Sequence, residues 1–294
     1  MKSYPYYPGC SVKGTGKAYE ESLLAVFEAL GVKLEEIDDW NCCGATAYMS
    51  IDETQACALA GRNLAIAEKA GNGAGLVAPC NACYLVLNKT KKLLEEQPKM
   101  RDRVAKALRA AGLEYTGKMN VRHPLEVLVN DIGTKAIKEK VTKPLNGLRV
   151  APYYGCQIVR PYALFDDQYN PTTMDVLIKA TGAEAVVYPF KTRCCGASQT
   201  STIPETGLHL VYMLIKEAHH RGADMIATIC PLCQFNLEGY QHQVCEKYKV
   251  DPIPVVYFTQ LMGLALGLSA EKVGLNRSLV PAEPVLKRRV ANAA

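Results

Sequence analysis

Of twelve cysteines, ten fall into two copies of one pattern. The first copy is Cys10, Cys42-Cys43 and Cys80-x-x-Cys83, and the second is Cys156, Cys194-Cys195 and Cys230-x-x-Cys233. Gaps of 31 and 36 residues in the first copy become 37 and 34 in the second. Adjacent cysteines rarely reach the separation and orientation that a disulfide demands, yet both can present thiolates to one inorganic centre. The repeat asks for two similar units, each gathering five thiols from three separate stretches of chain.

The intervening sequence alternates between short apolar runs and helical periodicity. Residues 2–9 read as an extended segment ending in Gly9, which lets the backbone turn beside Cys10. KAYEESLLAVFEAL (17–30) reads as a helix closed by Gly31, VKLEEID as a strand, and 52–70 as a helix entered at Asp52. GLVAPC (75–80) reads as a buried strand, with a long helix expected after Cys83 and another at 101–112. The second half replays this order. LRVAPYYGC matches the opening PYYPGC, AEAVVYP leads to the second cysteine pair, and ADMIATIC parallels GLVAPC. Only 24 residues run from Cys233 to Tyr257, against 40 from Cys83 to His123, so the second copy is expected to lack the 101–112 helix. The fold class predicted is α/β: two similar domains, each a mainly parallel sheet with flanking helices, related by internal duplication. The polar KEKVTKPLNG stretch places the boundary near residue 146, giving domains 1–146 and 147–294.

The 294 residues are 49% hydrophobic and 21% charged, as in a folded globular chain, and the net charge is +5. That mild excess suits anionic substrates, and no dense Lys/Arg run interleaved with aromatics points to nucleic acid. No apolar stretch reaches the length of a transmembrane segment, and Met1-Lys2-Ser3-Tyr4 does not open a secretory leader. A cytoplasmic location is therefore expected. Thiols stay reduced there, so the cysteines read as metal-binding or catalytic. Thiolates select zinc, copper(I) or iron–sulfur clusters. A structural zinc or a cubane cluster needs four ligands. A fifth cysteine fits a bridging thiolate or an opened cluster, and spacing does not decide which.

These motifs resemble the cysteine-rich CCG domain. The duplicated form with Tyr7-Pro8-Gly9-Cys10 at its start resembles the B-type subunit of heterodisulfide reductase, from Tyr7 to about Asn276. The resemblance implies two non-cubane [4Fe-4S] clusters. Cys10, Cys42, Cys43, Cys80 and Cys83 would hold one, and Cys156, Cys194, Cys195, Cys230 and Cys233 the other. It implies reduction, or reversible formation, of a disulfide such as the coenzyme M–coenzyme B heterodisulfide or a related thiol or sulfur substrate. It also implies two partners from a heterodisulfide reductase-like complex, its C-type iron–sulfur subunit and its flavin-containing A-type subunit. Disulfide cleavage takes two electrons, so homolytic scission between two clusters, with iron stabilising both thiolates, accounts for the duplication without any amino-acid nucleophile. An iron–sulfur relay or scaffolding protein without its own substrate site is the alternative. A structural zinc protein is another, as is a chain with one motif on zinc or a conventional cluster.

Other residues carry plainer expectations. Lys13, Lys17, Arg160, Lys191 and Arg193 lie near motif cysteines in sequence and are candidates for binding an anionic substrate. Cys57 reads as a packing residue, Cys245 as structural, His123 as a structural hydrogen-bonding group, and His219-His220 as a helix C-terminus. His209 and His242 have no supporting constellation, and Lys287-Arg288-Arg289 reads as a solvated end. Gly14-x-Gly16-Lys17 lacks the spacing of a phosphate loop, and no dinucleotide fingerprint is present. No flavin or nicotinamide is therefore expected on this chain.

Overall fold

The structure is a computed structural model, describing residues 2–45, 48–71 and 73–290. Its short apolar runs become parallel strands, because a strand covered on both faces carries no polar side chains to solvent. The first sheet holds β1 (Lys2–Tyr6), β2 (Val32–Glu36), β3 (Leu76–Val77) and β4 (Val121–Arg122), in the order β2-β1-β3-β4. Its register aligns Tyr6 with both Glu36 and Val77. The second holds β5 (Arg149–Tyr153), β6 (Glu184–Ala185), β7 (Met225–Thr228) and β8 (Val255–Tyr257), in the order β6-β5-β7-β8. The two orders are equivalent, and every pairing is parallel. The duplicated α/β reading is confirmed.

This topology positions the cysteines. The first strand of each sheet is central, the second lies on one side of it, and the third on the other. The chain thus reverses direction across the sheet between its first and third strands, where open α/β sheets form a crevice beyond the strand C-termini. Cys10, the Cys42-Cys43 pair and Cys80 follow the C-terminal ends of β1, β2 and β3, and the second copy repeats the placement around β5, β6 and β7.

The described chain packs as two compact units: Met1–Lys13 with Gly31–Pro124, and Gly14–Leu30 with Leu125–Ala294. This packing division differs from the repeat boundary near 146 in two places, the helix Lys17–Ala29 and the segment 125–146. The helix has an apolar stripe of Tyr19, Leu23, Val26 and Phe27, all fully buried. Within the second unit that stripe meets the helix Phe258–Ala265. Tyr19 stacks on Tyr257 at 4.5 Å, the hydroxyls of Ser22 and Thr259 lie 2.6 Å apart, and Arg277 forks onto Glu21 at 2.7 and 2.8 Å. Helical periodicity shows that such a stripe exists, not which core receives it.

Two local readings need correction. The helix expected after Cys83 begins at Asn81, because Cys80 itself is the N-cap, and this puts Cys83 in the first helical turn. The second copy does not lack a helix. Asn81–Glu96 and Pro98–Ala110 in the first copy correspond to Pro231–Gly239 and Gln241–Tyr248 in the second, so both helices are shortened. Lys287, Arg288 and Arg289 are all exposed, as expected of a solvated end, and Arg289 also pairs with the buried Asp224 at 2.8 Å. Other readings hold. Asp52 caps its helix by accepting from the Gln55 amide at 3.0 Å, and Cys57 is fully buried in the apolar cluster with Leu94, Val104 and Leu108.

Candidate metal centres

Each motif cysteine is delivered by backbone chemistry at a strand-to-helix junction. Cys80 and Cys230 are the N-caps of the helices Asn81–Glu96 and Pro231–Gly239, and Cys83 and Cys233 sit in the opening turns. Unpaired amides and partial positive charge at a helix start favour an anionic group there. Gly9 adopts φ +72°, and a Cβ on it would lie 2.8 Å from the Cys83 sulfur. Gly155, also one residue before its cysteine, adopts φ +73°. A side chain at Gly9 would be strained by the backbone and would press into the thiol cluster.

The five thiols of each set run as a chain in the same order. In the first unit the sulfurs of Cys10 and Cys42 are 3.8 Å apart and those of Cys43 and Cys83 are 3.3 Å apart. Cys42 hydrogen-bonds to Cys43, and Cys80 to Cys83, completing the series. In the second unit Cys156 meets Cys194, Cys194 meets Cys195, Cys195 lies 3.6 Å from Cys233, and Cys233 meets Cys230. A disulfide would need a separation of about 2.05 Å. Two thiolates on one tetrahedral metal, with bonds of about 2.3 Å, stand about 3.8 Å apart. The observed spacings fit shared metal ligation. Among the described residues, no three His, Cys, Asp or Glu side chains converge on a single-ion position.

Burial divides each set the same way. Cys43, Cys80 and Cys83 are buried while Cys10 and Cys42 are exposed; Cys195, Cys230 and Cys233 are buried, Cys194 is exposed and Cys156 half-buried. Each set thus has an inner triad and an outer pair. Thiols this close cannot all ionise in a desolvated place. Hydrogen bonds from Cys42 and Cys83 pull Cys43 down to about 4, while Cys42 is pushed up first by its bond to Cys43 and then by burial. In the second set, hydrogen bonds from Cys156 and Cys195 hold Cys194 far below the usual thiol range, helped by the Gly196 amide at 3.3 Å and the charge of Arg160. Cys195 is pushed up to about 12, chiefly by its bond to Cys194. Thiolate at every position requires positive charge among the sulfurs, which bound metal provides. The donor set therefore fits an iron–sulfur cluster.

The surrounding polar groups were not singled out from sequence. The Tyr7 hydroxyl donates to the Asn41 carbonyl at 2.8 Å, and the Tyr153 hydroxyl to the Arg193 carbonyl at 2.7 Å. Asn41 and Arg193 are the residues immediately before the adjacent cysteines. Buried Asn63 holds Asn41 from both sides, accepting from its amide and donating to its carbonyl, each at 2.9 Å. Buried Asn236 instead donates to the Cys195 carbonyl at 2.7 Å and accepts from Thr200 at 2.8 Å. The shared Tyr three residues before each first cysteine was a visible signal for the tyrosines. Nothing comparable marked the asparagines.

The basic residues are distributed unequally. Lys191 is buried, with its ammonium on Asp175 and the Pro171 carbonyl, both at 2.9 Å. Lys13 pairs with Glu36 at 2.6 Å and Lys17 with Glu20 at 2.8 Å. Arg193 lies over the Phe190 ring, and Arg160 donates to the Thr192 carbonyl while its charge faces Cys194. His123 is fully buried and bonds the Pro79 carbonyl at 3.1 Å, the structural role expected of it.

Comparison with known proteins places these features in a family. The CCG cysteine-rich domain matches residues 4–88 and again 150–238. The chain is 33% identical to the membrane anchor protein of the 8-methylmenaquinol:fumarate reductase of Wolinella succinogenes, over 96% of this chain and 98% of that one. It is 32% identical to a protein of Archaeoglobus profundus described as like the B-type subunit of heterodisulfide reductase, over 99% of both. It is 31% identical to the B-type subunit of the ferredoxin/F(420)H(2)-dependent CoB-CoM heterodisulfide reductase of Methanosarcina acetivorans, over 95% of this chain and 94% of that one. A hypothetical protein from Helicobacter pylori shares the fold at TM-score 0.70 and 16% identity, over 95% of this chain and 52% of that one. No helix among the described residues is long and apolar enough to cross a membrane.

Proposed function

Since the chain belongs to the CCG cysteine-rich domain family, in the duplicated form of the B-type heterodisulfide reductase subunit, we propose that it is the disulfide-reducing component of a heterodisulfide reductase-type complex. The observation that carries this reading is the repeated division of five linked thiols into a buried triad and an outer pair. Cys10, Cys42, Cys43, Cys80 and Cys83 would hold one non-cubane [4Fe-4S] cluster, and Cys156, Cys194, Cys195, Cys230 and Cys233 the other. When bound, the clusters would supply single electrons and an iron able to bind sulfur, so two of them match the two electrons of homolytic disulfide cleavage.

The residues do the rest. The inner triads anchor each set away from water, and the outer pairs leave one side of it open to a small disulfide or thiol. Exposed Arg160 brings positive charge to Cys194, which favours an anionic substrate at that side. Electrons would come from the C-type iron–sulfur subunit and the flavin-containing A-type subunit of such a complex.

A second reading has support from one relative. The fumarate reductase membrane anchor protein matches along nearly its whole length, which favours an electron-relay role without a substrate site of its own. The test is anaerobic iron, sulfide and zinc analysis, with paramagnetic resonance after adding a thiol under oxidising conditions. About eight iron per chain and a new thiol-dependent signal support the catalytic reading. The same iron without that signal supports the relay. About four iron with one zinc per chain overturns the two-cluster mechanism.

A further inference from the structure

We propose that Tyr7 and Tyr153 are positioning residues for the two cysteine sets, each fixing the peptide that carries the adjacent pair. This rests on the reading that the sets hold redox clusters. Both tyrosines lie three residues before the first cysteine of their set, at the end of the central strand, and both are fully buried. Each hydroxyl reaches across more than thirty residues of sequence to the carbonyl just before the adjacent pair, at 2.8 Å from Tyr7 and 2.7 Å from Tyr153. A geometry repeated at equivalent positions of two diverged copies is not a chance packing contact.

Groups behind the ligands orient them and tune metal affinity. A hydroxyl that pins the peptide before the adjacent cysteines acts in that way.

The two copies use the device differently. The Asn41 carbonyl has a second donor in Asn63. The Arg193 carbonyl has Tyr153 as its one side-chain donor among the described residues. Tyr153 therefore bears more of its loop than Tyr7 does.

The test replaces each tyrosine singly in the full chain, Tyr7→Phe and Tyr153→Phe, and compares iron content, circular dichroism and midpoint potentials from redox titration followed by paramagnetic resonance. Tyr7→Phe should keep most of the iron, because Asn63 still donates to the Asn41 carbonyl, and Tyr7→Phe combined with Asn63→Ala should lose more than either change alone. Tyr153→Phe should lower iron occupancy of one cluster. Tyr154→Phe is the control, because the Tyr154 hydroxyl bonds Asp175 and the helix amides of Met174 and Asp175; it should leave potentials unchanged. Site-specific 3-fluorotyrosine at position 153 keeps the hydroxyl donor and should retain wild-type iron and the wild-type paramagnetic spectrum, which covers the case in which Tyr153→Phe fails to fold. Wild-type iron with unchanged potentials and occupancies in both Phe variants overturns the inference. A wild-type chain without iron overturns the cluster reading instead.

Discussion

The two CCG copies keep the same five cysteines in the same linked order, yet place their favoured thiolate on opposite sides of the set. In the first copy it is Cys43, 2% exposed and held by two neighbouring thiols. In the second it is Cys194, exposed, with the Gly196 amide and Arg160 beside it. Ligand spacing thus constrains which sulfurs meet, while the loop around them decides what else surrounds each sulfur. The first copy encloses a buried sulfur with thiols, whereas the second sets an exposed sulfur beside an amide and an arginine.

The largest effect expected is on metal content. Cys83→Ser and Cys233→Ser should each remove about half the iron of the chain, and the double variant nearly all of it. Iron analysis showing that one variant empties both sets would break the picture of two separate centres. Next comes reactivity. In metal-free chain, iodoacetamide at mildly acid pH should label Cys194 ahead of Cys42, because only an ionised and reachable thiol reacts. Arg160→Gln removes a cation that favours the thiolate, so the pH at which Cys194 reacts should rise. Peptide mapping that finds Cys42 labelled as fast as Cys194 would erase the asymmetry.

Stability effects should be smaller. Asn63→Ala strands the Asn41 amide and removes one donor from its carbonyl, and Asn236→Ala strands the Cys195 carbonyl. Each should cost about 1–3 kcal/mol, with Asn63 the larger, as read from thermal unfolding of the metal-loaded chain. An equal loss would show that the two loops are pinned to the same degree. The smallest effect concerns helix capping. Asp52 caps the first copy's Glu53–Ala70 helix, whereas Ile203 precedes the second copy's Pro204–His220 helix with no side-chain cap. Asp52→Ala should lose about 1 kcal/mol and Ile203→Asp should gain somewhat less, by the same measurement.

Much of this was legible in sequence where the signal was local. Asp52 before a helical run, Gly31 after one and the apolar run 76–77 each mark an element through its own backbone needs. The 40- and 24-residue spacings misled, because a shorter connection can come from trimming two helices as readily as from deleting one. Tyr7 and Tyr153 were visible as matching letters, but their roles depend on carbonyls 34 and 40 residues away. Asn63 and Asn236 occupy different places in the two copies, so internal comparison had nothing to align.

By itself the sequence determined that the chain is duplicated, that its strands and helices alternate, and which ten cysteines belong to two sets, because spacing and periodicity are properties of the chain read in order. Only the tertiary structure decided which thiols are inner and which outer, which hydroxyls and amides hold them, and that the helix Lys17–Ala29 packs in the second unit. Burial and hydrogen bonding depend on residues distant in sequence meeting in space, and an apolar stripe does not specify the core that covers it.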